Sequence, residues 1–172
     1  MGNSARFSPV ALTRPIHFET EVRSRPEGWY SAGMDQLRQI IFFDGQCVVC
    51  DRGMTWILAR DVHRRFLFAP LQGETAHALL TPHFDETELP DSLILLEEDG
   101  ARSRVLLRSA ALIAIVRQLP GWLPKCLALG SWLPTSLRDL LYDAFAARRT
   151  AWFGRMDACR MPTPAEAACF LP

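Results

Sequence analysis

The sequence predicts an α/β fold in which helices cover a four-stranded mixed sheet. Short runs of β-branched and aromatic residues, typical of buried strands, alternate with segments whose apolar residues recur at helical spacing. The predicted order is β-α-β-α-β-β-α, followed by further helices. Because a helix joins the first two strands, we expect them to be parallel with a right-handed crossover. The last two strands are expected to form an antiparallel hairpin.

The predicted strands are short apolar runs that end at turn residues such as Asp44-Gly45 and Pro70. They cover residues 39–43, 65–69, 92–96 and 103–107, and Glu98-Asp99-Gly100 supplies the turn of the hairpin. Helices are predicted over residues 47–61, 73–80 and 109–118, the last with Ser109 as its N-cap. Residues 122–152 are predicted to be helical with breaks at Pro124 and Pro134.

Three regions are expected along the chain. Residues 1–36 lack sustained periodicity and predict a flexible leader, in which Met34 is a candidate translation start. Residues 37–120 form the predicted core domain, and residues 121–172 form a helical C-terminal extension packed on it.

Composition narrows the class of protein. The chain has 172 residues, of which 49% are hydrophobic and 22% charged, as expected for about one globular domain. This excludes a disordered tail and a small disulfide scaffold, and the five cysteines are an odd number. The formal net charge of +0 gives no indication of a nucleic-acid partner. The halves differ, with five arginines and eleven acidic residues at 37–100 but ten basic and four acidic residues at 101–172.

No secretory signal or membrane-spanning segment is predicted. The most apolar stretch, residues 110–133, is interrupted by Arg117, Pro120, Pro124 and Lys125, and a spanning helix needs about 20 largely apolar residues. We therefore expect a cytoplasmic location, where thiols rest in the reduced state.

Cys47-Val48-Val49-Cys50 is the motif that carries chemistry. It follows a strand and a turn and begins a helix, where unpaired N–H groups and the helix dipole stabilise a thiolate. Cys50, three residues on, can displace a mixed disulfide at Cys47. A CxxC near a βαβ pattern in a cytosolic chain indicates a redox motif.

Two other interpretations of the CxxC remain. A structural zinc site needs about four ligands, often as two close pairs, and the chain has no second CxxC and no HxxxH. Alternatively, both residues are ordinary core cysteines, which suits Cys50 but not Cys47 at its turn.

Residues 42–50 resemble the DCC-type thiol–disulfide oxidoreductases, a family named for its Asp-x-x-Cys-x-x-Cys motif after a first hydrophobic strand. Asp44, Cys47 and Cys50 match that motif position by position. The resemblance continues through residues 65–72, 91–92, 108–111, 141–143 and 152–159, so it covers about residues 38–162.

The resemblance implies a thioredoxin-like fold and a thiol–disulfide oxidoreductase that uses no cofactor. Cys47 would attack a protein or small-molecule disulfide and Cys50 would resolve the mixed disulfide, so Cys47→Ser abolishes reduction and Cys50→Ser accumulates mixed disulfides. An unidentified electron donor must restore the dithiol. Asp44 would either accept the proton of Cys50 or only form the Asp-Gly turn. Cys159 is a possible third redox thiol or a buried inert cysteine.

Further expectations concern the remaining cysteines, the charged residues of the C-terminal part and an alternative function. Cys126 and Cys169 are expected to be incidental, and ion pairs of Arg148 and Arg155 with Asp143 and Asp157 could hold the terminal segment. No metal site and no oligomeric state is predicted. The alternative function is a non-catalytic module that binds a protein or a membrane surface through tryptophans and basic residues of the terminal helices.

Overall fold

Four strands form one mixed sheet in the order β2-β1-β3-β4. The computed structural model describes residues 37–84, 89–99, 102–157 and 162–172. The strands are β1 (Arg38–Phe43), β2 (Phe66–Pro70), β3 (Ile94–Asp99) and β4 (Arg102–Leu107). Strand β1 is parallel to β2 and antiparallel to β3, and β3 is antiparallel to β4. The predicted pairing is therefore confirmed.

Helices lie between and after these strands in the predicted order. They are α1 (Val48–Leu58), α2 (Glu74–Leu80), α3 (Arg108–Gln118), α4 (Trp122–Ala128) and α5 (Thr135–Phe153). Short 3₁₀ turns cover Thr81–His83, Leu129–Trp132 and Ala167–Cys169. Together the sheet and helices form a thioredoxin-like α/β fold, as expected.

The sheet is buried on both faces because side chains of a strand alternate between them. Ile41 and Phe43 of β1 pack with residues of α1 and α3, whereas Ile40 and Phe42 pack with α2. A strand with apolar residues on both faces gives the continuous apolar run that the sequence shows.

The end of the chain is attached to the edge strand β2. The N–H of Leu171 donates to the Phe68 carbonyl at 2.8 Å, and the Phe170 ring stacks on the Phe68 ring with centroids 5.4 Å apart. The N–H of Thr75 donates to the Pro172 carbonyl at 3.0 Å. Residues 170–172 are therefore part of the packed fold.

Some predicted boundaries were wrong, each for a local reason. Helix α1 ends at Leu58 rather than at Asp61, whose carboxylate instead accepts a hydrogen bond of 2.9 Å from the N–H of Phe66. Pro124 does not break a helix, because it lies in the first turn of α4, where no intrahelical donor is needed. Ser109 is not the N-cap of α3, since its hydroxyl donates to Asp139 of α5.

The core predicts a contrast between two leucine truncations. Leu95 of β3 is 0% exposed, so Leu95→Ala should lower the free energy of unfolding by about 2–5 kcal/mol through lost burial and a cavity. Leu140 of α5 is 64% exposed, so Leu140→Ala should change it by less than about 0.5 kcal/mol. Urea unfolding measures both, and equal losses would contradict the assignment of the core.

Candidate active site

The CxxC motif lies where β1 passes into α1. After Phe43, the Asp44-Gly45 turn lets the Asp44 carbonyl accept a hydrogen bond of 3.2 Å from the N–H of Cys47. Cys47 is the N-cap of α1, and its Sγ accepts a hydrogen bond of 3.4 Å from the N–H of Cys50. The N-terminus of the helix thus faces the Cys47 sulfur.

The two sulfurs differ in accessibility. Cys47 is 0% exposed, because the chain after α5 crosses over it. Arg155 forms an antiparallel β-bridge with Cys47, and the N–H of Met156 donates to the Gln46 carbonyl at 2.8 Å. The Arg155 guanidinium also donates to Gln46 Oε1, at 2.6 and 3.1 Å. We call residues 154–156 the covering segment.

Asp44 is buried beside the motif, and its side chain makes contacts beyond those that form the turn. Its Oδ1 accepts hydrogen bonds from the Gln46 N–H at 3.0 Å and from Gln72 Nε2 at 2.9 Å, and Gln72 Oε1 in turn accepts from the Gly45 N–H at 3.1 Å. Its Oδ2 lies 3.3 Å from Arg149 Nη2. The carboxylate therefore both fixes the turn and carries a charge next to the cysteines.

Arg149 of α5 is a residue of the candidate site that the sequence analysis missed. It is buried, and its Nη2 also donates to the carboxylate of Asp91, which lies just before β3. The neighbouring Arg148 is exposed and donates to the Ala144 carbonyl. The available signal was helical spacing, since Tyr142, Ala146 and Arg149 lie at i, i+4 and i+7 and share one face.

The ion pairs expected in the terminal segment were wrong. Arg155 binds the side chain of Gln46, and Asp143 pairs with Arg108 at 3.4 Å. Arg149 forms a further ion pair between α5 and the core, with the buried Asp44.

Cys50 is half-buried, and its surroundings disfavour its charged form. Burial raises the pKa of the Cys50 thiol well above its ordinary value, and the hydrogen bond with Cys47 raises it further. The charge of Arg149 acts in the opposite direction, whereas the charges of Cys47 and Asp44 add to the rise. Burial also raises the pKa of Tyr142, whose hydroxyl oxygen accepts a hydrogen bond of 2.8 Å from the N–H of Leu93.

A cavity of about 300 Å³ lies against Cys50. Asp44, Tyr142 and Arg149 line its polar end, and apolar side chains from α1, α3, α4 and α5 form the rest. The cavity brings together two of the predicted site residues, Asp44 and Cys50, whereas Cys47 does not line it.

The other cysteines lie elsewhere. Cys126 is exposed on α4, and Cys169 is buried in the core, where its sulfur accepts a hydrogen bond of 2.9 Å from Arg64 Nη1. Cys159, the candidate third thiol, lies outside the described residues, as does the predicted leader over residues 1–36.

The described residues contain neither a candidate metal site nor a membrane-spanning helix. In the part of the chain that the structure describes, no three His, Cys, Asp or Glu side chains are grouped so that they could hold a metal ion. Among the helices of that same part, none is both long and apolar enough to cross a membrane.

Comparison with known proteins agrees with the geometry. Residues 41–155 match the DCC1-like thiol-disulfide oxidoreductase family. The chain belongs to this family. The match begins in β1 and ends at Arg155 in the covering segment, so it includes both cysteines, Asp44 and Arg149.

Two relatives are similar over most of the chain. An "Uncharacterized protein YuxK" of Bacillus subtilis is 33% identical over 135 residues, which are 78% of this chain and 94% of that protein. A "DCC family protein At1g52590, chloroplastic" of Arabidopsis thaliana is 31% identical over 124 residues, 72% of this chain and 70% of that protein. No solved structure gives a significant match.

The buried ion pair predicts a large loss of stability when its cation is removed. Arg149→Met would leave Asp44 buried without its partner, which should lower the free energy of unfolding by about 3–5 kcal/mol. Arg148→Met, the exposed neighbour, should change it by less than about 0.5 kcal/mol. Adding Asp44→Asn to Arg149→Met should recover part of the loss in urea unfolding. Equal losses for the two arginine variants would contradict the role of Arg149.

The environment of Cys50 predicts a shifted pH dependence of alkylation. Because only the thiolate reacts, iodoacetamide labelling of Cys50 should rise at higher pH in the folded, reduced protein than for the same cysteine in urea. In Asp44→Asn the profile should move toward lower pH, because a negative charge that raises the pKa is removed. Labelling with peptide mapping measures this, and identical folded and unfolded profiles would show that burial has no such effect.

Proposed function

We propose that this protein exchanges the Cys47–Cys50 dithiol and disulfide with substrate disulfides or thiols through a mixed disulfide. The observation that carries the proposal is the geometry of the pair, in which Cys47 caps α1 and its Sγ receives the N–H of Cys50 at 3.4 Å. Membership of the thiol–disulfide oxidoreductase family supports it.

The exchange transfers two electrons. A thiolate of the pair attacks one sulfur of the substrate disulfide, and the other substrate sulfur leaves as a thiolate that takes up a proton. The second cysteine then attacks the mixed disulfide, which releases the second substrate thiol and leaves a Cys47–Cys50 disulfide. The reverse sequence oxidises a substrate dithiol or a pair of thiols. An electron donor or acceptor of the cell must restore the starting state.

Asp44 and Arg149 control the charge of the Cys50 sulfur in this proposal. Both line the cavity with Cys50, and their charges act on its pKa in opposite directions. We propose that Asp44 receives the proton of Cys50 when that thiol attacks a disulfide. The cytoplasmic location and a redox role of Cys159 stay predictions.

A single-turnover assay tests the function without the unknown electron donor. Reduced protein, freed of reductant, should convert bis(2-hydroxyethyl) disulfide to mercaptoethanol and lose two hydrogen atoms of mass as the Cys47–Cys50 bond forms. Cys47→Ser and Cys50→Ser should each abolish formation of the internal disulfide, because each removes one of its sulfurs.

The matched control is Cys126→Ser, which removes an exposed thiol on α4 and should behave like the unaltered protein. We expect the internal disulfide to form in Cys126→Ser at the same rate as in the unaltered protein. We expect it to be absent from the other two variants. Release of both mercaptoethanol molecules from the substrate after Cys47 or Cys50 has been replaced would overturn the proposal.

One observation favours a second candidate, a module that binds a membrane surface. Trp122, Trp132 and Trp152 on the terminal helices are 76%, 86% and 62% exposed, and basic residues such as Lys125 and Arg148 lie near them. Co-sedimentation with anionic phospholipid vesicles, together with no activity in the single-turnover assay, would favour this function over the first.

A further inference from the structure

The cavity beside Cys50 is mainly a carbon-lined space with a sulfur at its polar end. Its apolar wall includes Met54, Leu93, Leu112, Val116, Leu127 and Phe145. A volume of about 300 Å³ lies at the lower end of the range for small-molecule sites. Leu112, Leu127 and Phe145 are also partly exposed, so the cavity is open to solvent along this rim.

The cation at the polar end is already paired within the protein. Arg149 is shared by Asp44 and Asp91, so no isolated cation is offered to an anionic ligand. An added anion would meet an apolar wall and lose hydration without gaining a partner. The hydroxyl of Tyr142 accepts from Leu93, and its proton has no acceptor among the described residues. The site therefore favours a neutral group that carries one acceptor atom at the polar end.

The accessibility of the two cysteines decides which sulfur a molecule in the cavity contacts. Cys50 lines the cavity, whereas Cys47 has no exposed surface and lies under the covering segment, residues 154–156. A molecule that occupies the cavity can reach the sulfur of Cys50 without any movement of that segment. Direct attack by Cys47 on a substrate would need the bridge to Arg155 to open first.

We propose that the cavity binds the apolar substituent of a neutral, low-molecular-weight disulfide or thiol, and that the mixed disulfide forms at Cys50. This rests on the proposed function and names its substrate class. It also reverses the order expected from the sequence, in which Cys47 reacts first with the substrate.

The chemistry balances in both directions through the same intermediate. When the protein reduces R–S–S–R, the Cys50 thiolate bonds to one sulfur and R–S⁻ leaves and is protonated. Cys47 thiolate then attacks the Cys50 sulfur, the Cys47–Cys50 bond forms, and the second R–S⁻ leaves. When the protein oxidises R–SH, its thiolate attacks the Cys50 sulfur and Cys47 leaves as a thiolate. A second R–S⁻ then attacks the substrate sulfur of the mixed disulfide, R–S–S–R forms, and Cys50 leaves as a thiolate. Cys47 suits the role of leaving group, because it lies at the N-terminus of α1.

Gly53 provides a way to fill the cavity. It lies on α1 in the cavity wall, and a Cβ added there meets no atom within 4 Å. Gly53→Leu should therefore occupy the space without a backbone clash, and Gly53→Ala serves as a smaller step that shows whether the helix accepts a side chain. Gly130 is the matched control, since it has equally open surroundings but does not line the cavity.

The experiment compares two probes of similar shape that differ in charge. They are 3,3-dimethylbutyl methanethiosulfonate, which is neutral, and 2-sulfonatoethyl methanethiosulfonate, which is anionic. Mass spectrometry locates the mixed disulfide and follows its rate of formation. For each probe, this rate is divided by the rate at which the same probe modifies a cysteine peptide. In the reduced protein the neutral probe should be favoured by about tenfold or more, as burial of two or more methylene groups gives. Gly53→Leu should reduce this preference toward one, Gly53→Ala should reduce it less, and Gly130→Leu should retain it.

Mapping of the trapped adduct tests the order of the sulfurs. In Cys47→Ser the adduct should accumulate on Cys50, whereas Cys50→Ser should label Cys47 at least tenfold more slowly. Equal relative rates for the two probes, a preference that survives Gly53→Leu with the fold intact, or faster labelling of Cys47 would each overturn the proposal.

The outcomes also separate this inference from the proposed function. If the internal disulfide forms but the probes show no preference, the exchange function stands and the cavity assignment fails. If the neutral probe modifies Cys50 selectively but Cys47 never displaces it, the cavity binds as proposed and the exchange function fails.

Discussion

The site depends on one buried ion pair, that of Arg149 with Asp44. Burying a guanidinium is costly unless carboxylates compensate it, so α5 is held where Arg149 meets both Asp44 after β1 and Asp91 before β3. This placement has two consequences. It places Tyr142 and Phe145 in the wall of the cavity beside Cys50, and it carries the chain beyond α5 over Cys47.

The same arrangement gives the two sulfurs unlike surroundings. The Cys47 sulfur receives the N–H of Cys50 at the start of α1, but it is shielded from solvent. Cys50 lines the cavity, and burial raises its pKa. In the proposed exchange, the sulfur of Cys50 would contact the substrate and the covered sulfur of Cys47 would form the internal disulfide.

Local patterns in the sequence predicted the strands, the order of elements along the chain and the position of the CxxC, because strand runs, turns and helix starts depend on neighbouring residues. The Asp44-Gly45 turn and Cys47 as N-cap are examples. The interactions that complete the site are not local. Arg149 and Asp44 are 105 residues apart, as are Cys169 and Arg64, and Gln46 meets Arg155 across 109 residues. Nothing in the immediate neighbourhood of Arg149 distinguishes it from Arg148 except the helical spacing that turns one inward. The cavity likewise arises from four helices and has no signature in any one of them.

Equilibration in defined glutathione redox buffers, followed by alkylation and mass mapping of all five cysteines, tests the central claim most directly. We expect Cys47 and Cys50 to become protected from alkylation together, along a single two-electron curve, as they form an internal disulfide. Cys126 should remain free to react. Mapping Cys159 in the same experiment shows whether a third thiol takes part. Separate glutathione adducts on Cys47 and Cys50 at every potential, with no bond between them, would contradict the account.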